Sequence, residues 1–191
     1  MRIVKDPDTR KEEILQGALR VFARKGYDKT TITDISKELG ISQGLCYRYY
    51  ASKEEIYDAA VETYANHIVS ANLERFSNNG KTLKEKIIAY SGGLKEYKKI
   101  EQNDELLYQF FHSENGHKMH DQLMMNVSFK LVPKIKNILD ASKKNGEIKI
   151  DDTGTFAYFL VFGQLGILLA EGDNSDTQKK IQKTLIEILD L

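Results

Sequence analysis

From Ser42 to Arg48 the chain reads Ser42-Gln43-Gly44-Leu45-Cys46-Tyr47-Arg48, with Tyr49 next, which places a hydroxyl, a carboxamide, a glycine, an apolar side chain, phenols and a guanidinium side by side. That set suits recognition of base edges and phosphates better than bond breaking. A carboxamide such as Gln43 pairs bidentately with adenine in the major groove, a leucine such as Leu45 touches a thymine methyl, and Gly44 lets backbone come close to a duplex. Further along, Lys53 stands where the positive end of a following helix would meet a phosphate.

Other chemistry is poorly supported. His112, His117 and His120 with Glu114 and Asp121 suggest a metal, since His117 and His120 would lie one helical turn apart, but the spacing is loose and no cysteine joins them. The sequence holds no Gly-x-Ser-x-Gly, no phosphate-cradling glycine loop and no His-Glu-x-x-His, so neither an enzyme nor a cofactor is expected. The single cysteine, Cys46, cannot form an internal disulfide, and the charged start Met1-Arg2-Ile3-Val4-Lys5-Asp6 does not read as a secretory signal. A cytoplasmic location is expected. The formal net charge of zero is uneven: residues 1–53 hold eleven Lys or Arg against seven Asp or Glu, so the surplus of positive charge lies at the end that carries the recognition set.

Two prolines and recurrent apolar spacing of three and four predict an all-α chain. Thr31 and Asp34 form a capping box that opens a short helix with Ile35 and Leu39 on one face. Gly40 supplies a left-handed stop, Ile41 an apolar plug, and Ser42 the cap of a second short helix, together a helix-turn-helix over about 31–50. Ile35, Leu39, Ile41, Cys46 and Tyr50 are its expected core. A first helix is predicted from the capping box Thr9-Arg10-Lys11-Glu12 through Ile14, Leu15, Ala18, Leu19 and Phe22 to Gly26. Ser52 and Glu55 cap a long helix with Ile56, Ala60, Tyr64, Ile68 and Ala71 on one stripe, ending near Ser77-Asn78-Asn79-Gly80. Beyond it, helices are predicted at roughly 82–100, 104–113, 118–144, 152–171 and 177–190. Pro133 is expected to kink the third of these or to begin a new helix. The apolar stretch from Phe156 to Ala170 falls short of the ~20 residues that span a bilayer and is expected to be buried on more than one side.

Ile14-Leu15-x-x-Ala18-Leu19-x-x-Phe22-x-x-x-Gly26-Tyr27-x-x-Thr30-Thr31-Ile32-x-Asp34-Ile35, followed by Ser42-x-Gly44-x-x-Tyr47-x-x-Tyr50-x-Ser52-Lys53-Glu54-Glu55, resembles the signature of the tetracycline-repressor (TetR) family of transcriptional regulators. The sequence departs from the family pattern at Tyr50, usually Phe, and at Cys46, usually a larger apolar residue. The resemblance implies a three-helix DNA-binding domain over residues 1–51 and a helical ligand-binding and dimerisation bundle over 52–191, joined through the linking helix 52–77. It also implies DNA contacts from Thr31, Thr33, Ser42, Gln43, Gly44, Leu45, Tyr47, Arg48, Tyr49 and Lys53. Tyr47 and Tyr49 would meet phosphates or sugar edges, and Arg48 a guanine or a phosphate.

One reading helix covers too few base pairs for specificity, so a homodimer on a palindromic operator is expected. Phe156, Phe159, Phe162, Gly163, Leu165, Gly166 and Leu169, with Ile181, Leu185 and Ile188, are the candidate dimer seam. Tyr90, Tyr97, Tyr108, Phe111, Met119, Met124, Met125, Phe129 and Phe159 are candidates to line a pocket for a small-molecule effector. The expected function is therefore sequence-specific repression relieved by a ligand. The rivals are a helical small-molecule-binding protein or enzyme with a structural N-terminal unit, and a metal-responsive sensor.

Overall fold

Asp6 and Pro7 start the first helix, α1 (Pro7–Lys25). The Asp6 carboxylate accepts the backbone N–H of Asp8 and Thr9, and the proline, whose fixed φ suits a first turn, follows at once. The start expected at Thr9 is thus corrected to Asp6: Thr9 is already held by Asp6, so its capping pattern with Glu12 goes unused. Four helices follow this logic in the computed structural model, which describes residues 6–76, 82–89, 111, 117–172 and 174–191. They are α1, α2 (Ile32–Leu39), α3 (Gln43–Tyr49) and α4 (Lys53–Phe76). In α2 the Thr31 side chain accepts the Asp34 N–H at 3.2 Å while the Asp34 carboxylate accepts the Thr31 N–H at 3.0 Å, a complete capping box. Gly40 then turns left-handed at φ 63° and ψ 32°, a conformation that costs a side chain about 1–2 kcal/mol. At the start of α4 the Glu55 N–H donates to Ser52 Oγ, and the Glu55 carboxylate accepts the N–H of Ala51.

The described residues cluster into two compact units. The first takes in the chain to Tyr64 together with Glu101–Leu123. Its core is Ile14, Leu15, Ala18, Leu19, Val21 and Phe22 of α1 with Ile35, Cys46, Tyr50, Ile56, Ala60 and Tyr64. Fully burying each large side chain of that set contributes about 1.5–3 kcal/mol. A run of aromatic rings crosses this core: Phe22 to Tyr27 at 5.3 Å, Tyr27 to Tyr57 at 5.1 Å, Tyr57 to Phe111 at 6.4 Å and Phe111 stacked on Tyr64 at 5.4 Å. The boundary expected after residue 51 falls inside this unit.

The second unit takes in Ala65–Ile100 and Met124–Leu191. Among its described residues are α5 (Leu83–Ala89), most of α6 (His117–Lys144), α7 (Thr153–Glu171) and α8 (Ser175–Leu189). Leu83, Ile87, Val132, Leu139, Ile148, Ala157, Val161 and Leu189 form its core. Glu147 accepts the Leu83 N–H at 2.6 Å, and Gln182 donates to the Ile87 carbonyl at 3.3 Å, which fixes α5 against α8. Of the two outcomes expected at Pro133, a new helix does not begin there, since α6 runs through it from His117 to Lys144. Pro133 and Phe129, whose carbonyl loses its donor, both lie on the exposed face, where solvent can take up that carbonyl.

The expectation for Phe156 to Ala170 also changes. Within the protomer α7 buries one stripe, Thr153, Ala157 and Val161, at a spacing of four. The rest stays uncovered: Phe159 is 72% exposed, Leu169 61% and Tyr158 52%. At 19 residues α7 is long and apolar enough to cross a membrane by length and composition, yet its buried stripe belongs to the core of the second unit. Ile181, expected at a seam between protomers, lies buried at 5% exposure instead, because α8 turns that position inward.

Candidate nucleic-acid interface

Helix α3 is held from behind. Cys46 is fully buried and Tyr50 nearly so, and the Tyr50 hydroxyl donates to the Lys11 carbonyl of α1 at 3.3 Å. Burial pushes the Tyr50 phenol up to about 12 and raises the Cys46 thiol, so both act as neutral packing groups. On the opposite side Ser42, Gln43, Gly44, Tyr47 and Arg48 are exposed, while Leu45 and Tyr49 are half-buried. The Ser42 hydroxyl accepts the Leu45 N–H at 3.2 Å and so caps the helix. Gln43 Nε2 donates to Thr33 Oγ1 at 2.9 Å, which ties the leading edge of α3 to the start of α2.

Two expected phosphate contacts are engaged within the protein. The Thr31 hydroxyl donates to the Asp34 carboxylate at 2.7 Å, so a phosphate would have to displace that bond. Lys53 Nζ donates to the Tyr27 carbonyl at 2.8 Å and the Asp28 carbonyl at 3.4 Å, and lies 4.2 Å from the centre of the Tyr27 ring. Its ammonium has three N–H groups, so one remains beyond those given to the two carbonyls.

Ion pairs lock α1 to α2. Glu38 takes Arg20 Nε at 3.1 Å on one oxygen and Arg24 Nη2 at 3.0 Å on the other, while Lys25 meets Asp34 at 2.8 Å. The Arg24 and Arg20 guanidiniums hold the Glu38 carboxyl below its ordinary value, and Lys25 and Thr31 do the same for Asp34. Three of the basic residues counted in the sequence, Arg20, Arg24 and Lys25, are therefore engaged by two carboxylates, which leaves this cluster one net positive charge. Among the described residues no acid pairs with Lys29, Lys37 or Arg48, and all three are exposed. The packing of α1 on α2 also depends on Gly17, where an added Cβ would stand 2.6 Å from Leu39 Cδ2. Neither the Glu38 clamp nor Gly17 was visible as a pattern, since each joins residues of α1 and α2 that lie far apart in sequence.

Comparison with known proteins bears on this N-terminal region. Residues 14–60 match the profile of the family described as bacterial regulatory proteins, tetR family. The HTH-type negative transcriptional regulator IcaR of the biofilm operon icaADBC in Staphylococcus epidermidis is 39% identical over 69 residues, 36% of this chain and 37% of that protein. Over residues 14–60 the chain is thus similar to the tetR family. YfiR of Bacillus subtilis, an uncharacterized HTH-type transcriptional regulator, is 45% identical over 56 residues, 29% of this chain and 27% of that one. The chain thus matches 37% and 27% of the length of these two relatives. GusR of Salmonella enterica shares the fold at a TM-score of 0.59 and 18% identity, over 98% of this chain and 99% of its own.

The effector candidates are dispersed. Tyr90, Tyr97 and Tyr108 lie outside the described residues, as does the side chain of Met119. Phe111 is buried in the first unit between Tyr57 and Tyr64. Met124 is half-buried, while Met125 at 43%, Phe129 at 55% and Phe159 at 72% exposure face solvent. Phe129 and Tyr158 both pack on Phe162, at 5.1 and 6.2 Å, and so extend the apolar surface of α7. Of the seam candidates, Gly163, Gly166, Leu169 and Ile188 are exposed, and Phe156, Phe162, Leu165 and Leu185 are half-buried. An open groove of about 830 Å³ in the first unit is lined by Asp8, Arg10, Glu12, Gln16, Arg20 and Leu39 among others, and none of the effector candidates borders it. Of the metal cluster, His112, Glu114 and the His117 side chain lie outside the described residues, and among the described ones no group of three metal-ligating side chains converges.

Proposed function

We propose that the chain is a sequence-specific DNA-binding transcriptional regulator that acts as a homodimer. The observation that carries this reading is the exposed edge Ser42, Gln43, Gly44, Tyr47 and Arg48 on a short helix whose reverse face, Cys46 with Tyr50, is buried against α1 and the rest of the first unit. A helix presented in this way fits the major groove, and its cations and phenols grip the flanking phosphates. The uncovered face of α7, Phe159, Gly163, Gly166 and Leu169, with Ile188 of α8, supports an isologous seam that removes apolar surface from water and sets two reading helices one duplex turn apart, roughly 34–36 Å. The role of IcaR as a negative regulator favours repression. A small-molecule effector that favours one arrangement of the second unit would release the operator, a coupling worth about 1–3 kcal/mol.

The test is binding of the full chain to a pool of randomised duplexes, followed by titration in rising salt. Selection of an inverted repeat, with affinity falling about 1,000-fold or more between 50 and 200 mM salt, is the expected outcome. Weak binding without sequence preference, or none at all, overturns the proposal.

A further inference from the structure

We propose that Thr33 is a positioning residue that fixes the orientation of the Gln43 carboxamide, so that each half-site must carry adenine at the position Gln43 reads; this rests on the DNA-binding function proposed above. The geometry is specific. Gln43 sits at the first position of α3, exposed, and its Nε2 spends one N–H on Thr33 Oγ1 at 2.9 Å. Thr33 is half-buried in the first turn of α2, a helix fixed at its start by the Thr31–Asp34 box and to α1 by the Lys25–Asp34 and Glu38 pairs. The Ser36 hydroxyl donates to the Thr33 carbonyl at 2.9 Å and holds that turn further. A flexible, exposed side chain is thereby anchored to a rigid element before any DNA arrives, which lowers the ordering cost of contact.

The anchoring also decides what the amide can read. With one N–H committed to Thr33, Gln43 retains one N–H donor and its Oε1 acceptor. Adenine offers one acceptor, N7, and one donor, N6–H, in the major groove, so the match is complete. Guanine offers two acceptors, N7 and O6, and would set O6 against the Gln43 oxygen. Cytosine lacks the acceptor and thymine the donor. The opposite amide orientation, with Thr33 donating to Oε1, would leave both N–H groups outward and favour guanine; the hydrogen bond from Nε2 to Thr33 selects the first orientation.

The experiment compares base selection by wild type, Thr33→Val, Thr33→Ser and Gln43→Ala, each first shown to melt cooperatively. Wild type is expected to require adenine at one position per half-site. In Thr33→Val, nearly isosteric but without the hydroxyl, the preference for adenine at that position alone should fall about 3- to 10-fold. Thr33→Ser should restore it, and Gln43→Ala should abolish it. A preference for guanine at the position lost in Gln43→Ala overturns the orientation, and an unchanged profile in Thr33→Val overturns the positioning role, while selection of an inverted repeat by wild type keeps the DNA-binding reading intact. Uniform weakening at every position in Thr33→Val shows Thr33 to be merely structural and also overturns the inference. Absence of any sequence selection by wild type removes the reading on which it rests.

Discussion

The Lys53 ammonium stands at the junction of two roles, tied to the Tyr27 carbonyl and ring while the residue as a whole is only half-buried. Cation–π contact at a partly exposed site is worth about 0.5–1 kcal/mol, so Lys53→Ala should lower the unfolding free energy by about 1 kcal/mol in a denaturant titration. If the remaining N–H meets a phosphate, the same variant weakens all DNA sequences alike and reduces the salt slope by about one unit. Tyr27→Leu separates the two effects: it should cost stability and leave the salt slope unchanged. The acids of α2 give a pH signature. Asp34 and Glu38 are held below their ordinary values of 3.8 and 4.5 by the cations and N–H groups that face them. A carboxyl with a depressed folded pKa contributes stability that is complete above its unfolded value and is lost as pH falls through the folded one. Melting temperature should therefore hold steady above pH about 5 and decline below about 4, and Asp34→Asn should flatten that decline. A decline of unchanged steepness in Asp34→Asn would remove Asp34 from this account.

At the scale of elements, local rules and tertiary packing conflict at Gly17. Helix propensity alone says that alanine in the middle of α1 should be better than glycine by about 1 kcal/mol. Packing says the reverse, because the added methyl would stand 2.6 Å from Leu39 Cδ2 and 2.7 Å from its Cγ. Overpacking of this kind costs about 1–3 kcal/mol, so Gly17→Ala should lower the melting temperature, and Gly17→Ala with Leu39→Ala should show positive coupling in a double-mutant cycle. Gly40 poses no such conflict: its positive φ is a local demand, and Gly40→Ala should destabilise by about 1–2 kcal/mol with Gly40→Asn milder. The turn, both caps of the recognition pair and the stripe of α4 were legible in the sequence because each is settled within a few residues of itself. The start of α1 was misread because Asp6-Pro7 and Thr9-x-x-Glu12 are both good caps, and only one can begin the helix.

At the scale of the whole molecule, the uncovered face of α7 separates a residue of the proposed seam from a core residue. Phe159 is 72% exposed, so Phe159→Glu should leave the protomer's melting nearly unchanged while light scattering on the eluted protein shows monomers with lost operator affinity. A dimer that survives both Phe159→Glu and Leu169→Glu would move the seam elsewhere. The Phe162 ring, packed against Phe129 and Tyr158, is a poorer probe because its loss disturbs the protomer as well. What the sequence determined by itself is the all-helical class and the recognition unit from Thr31 to Lys53, since capping, left-handed turns and helical periodicity act over a handful of neighbouring residues. What only the tertiary structure decided is which apolar faces are covered, which cations are already paired and which side chain orients Gln43. Those outcomes join residues distant in sequence, such as Arg20 with Glu38 or Gly17 with Leu39, and hydropathy along one helix carries no information about the neighbour that will cover it.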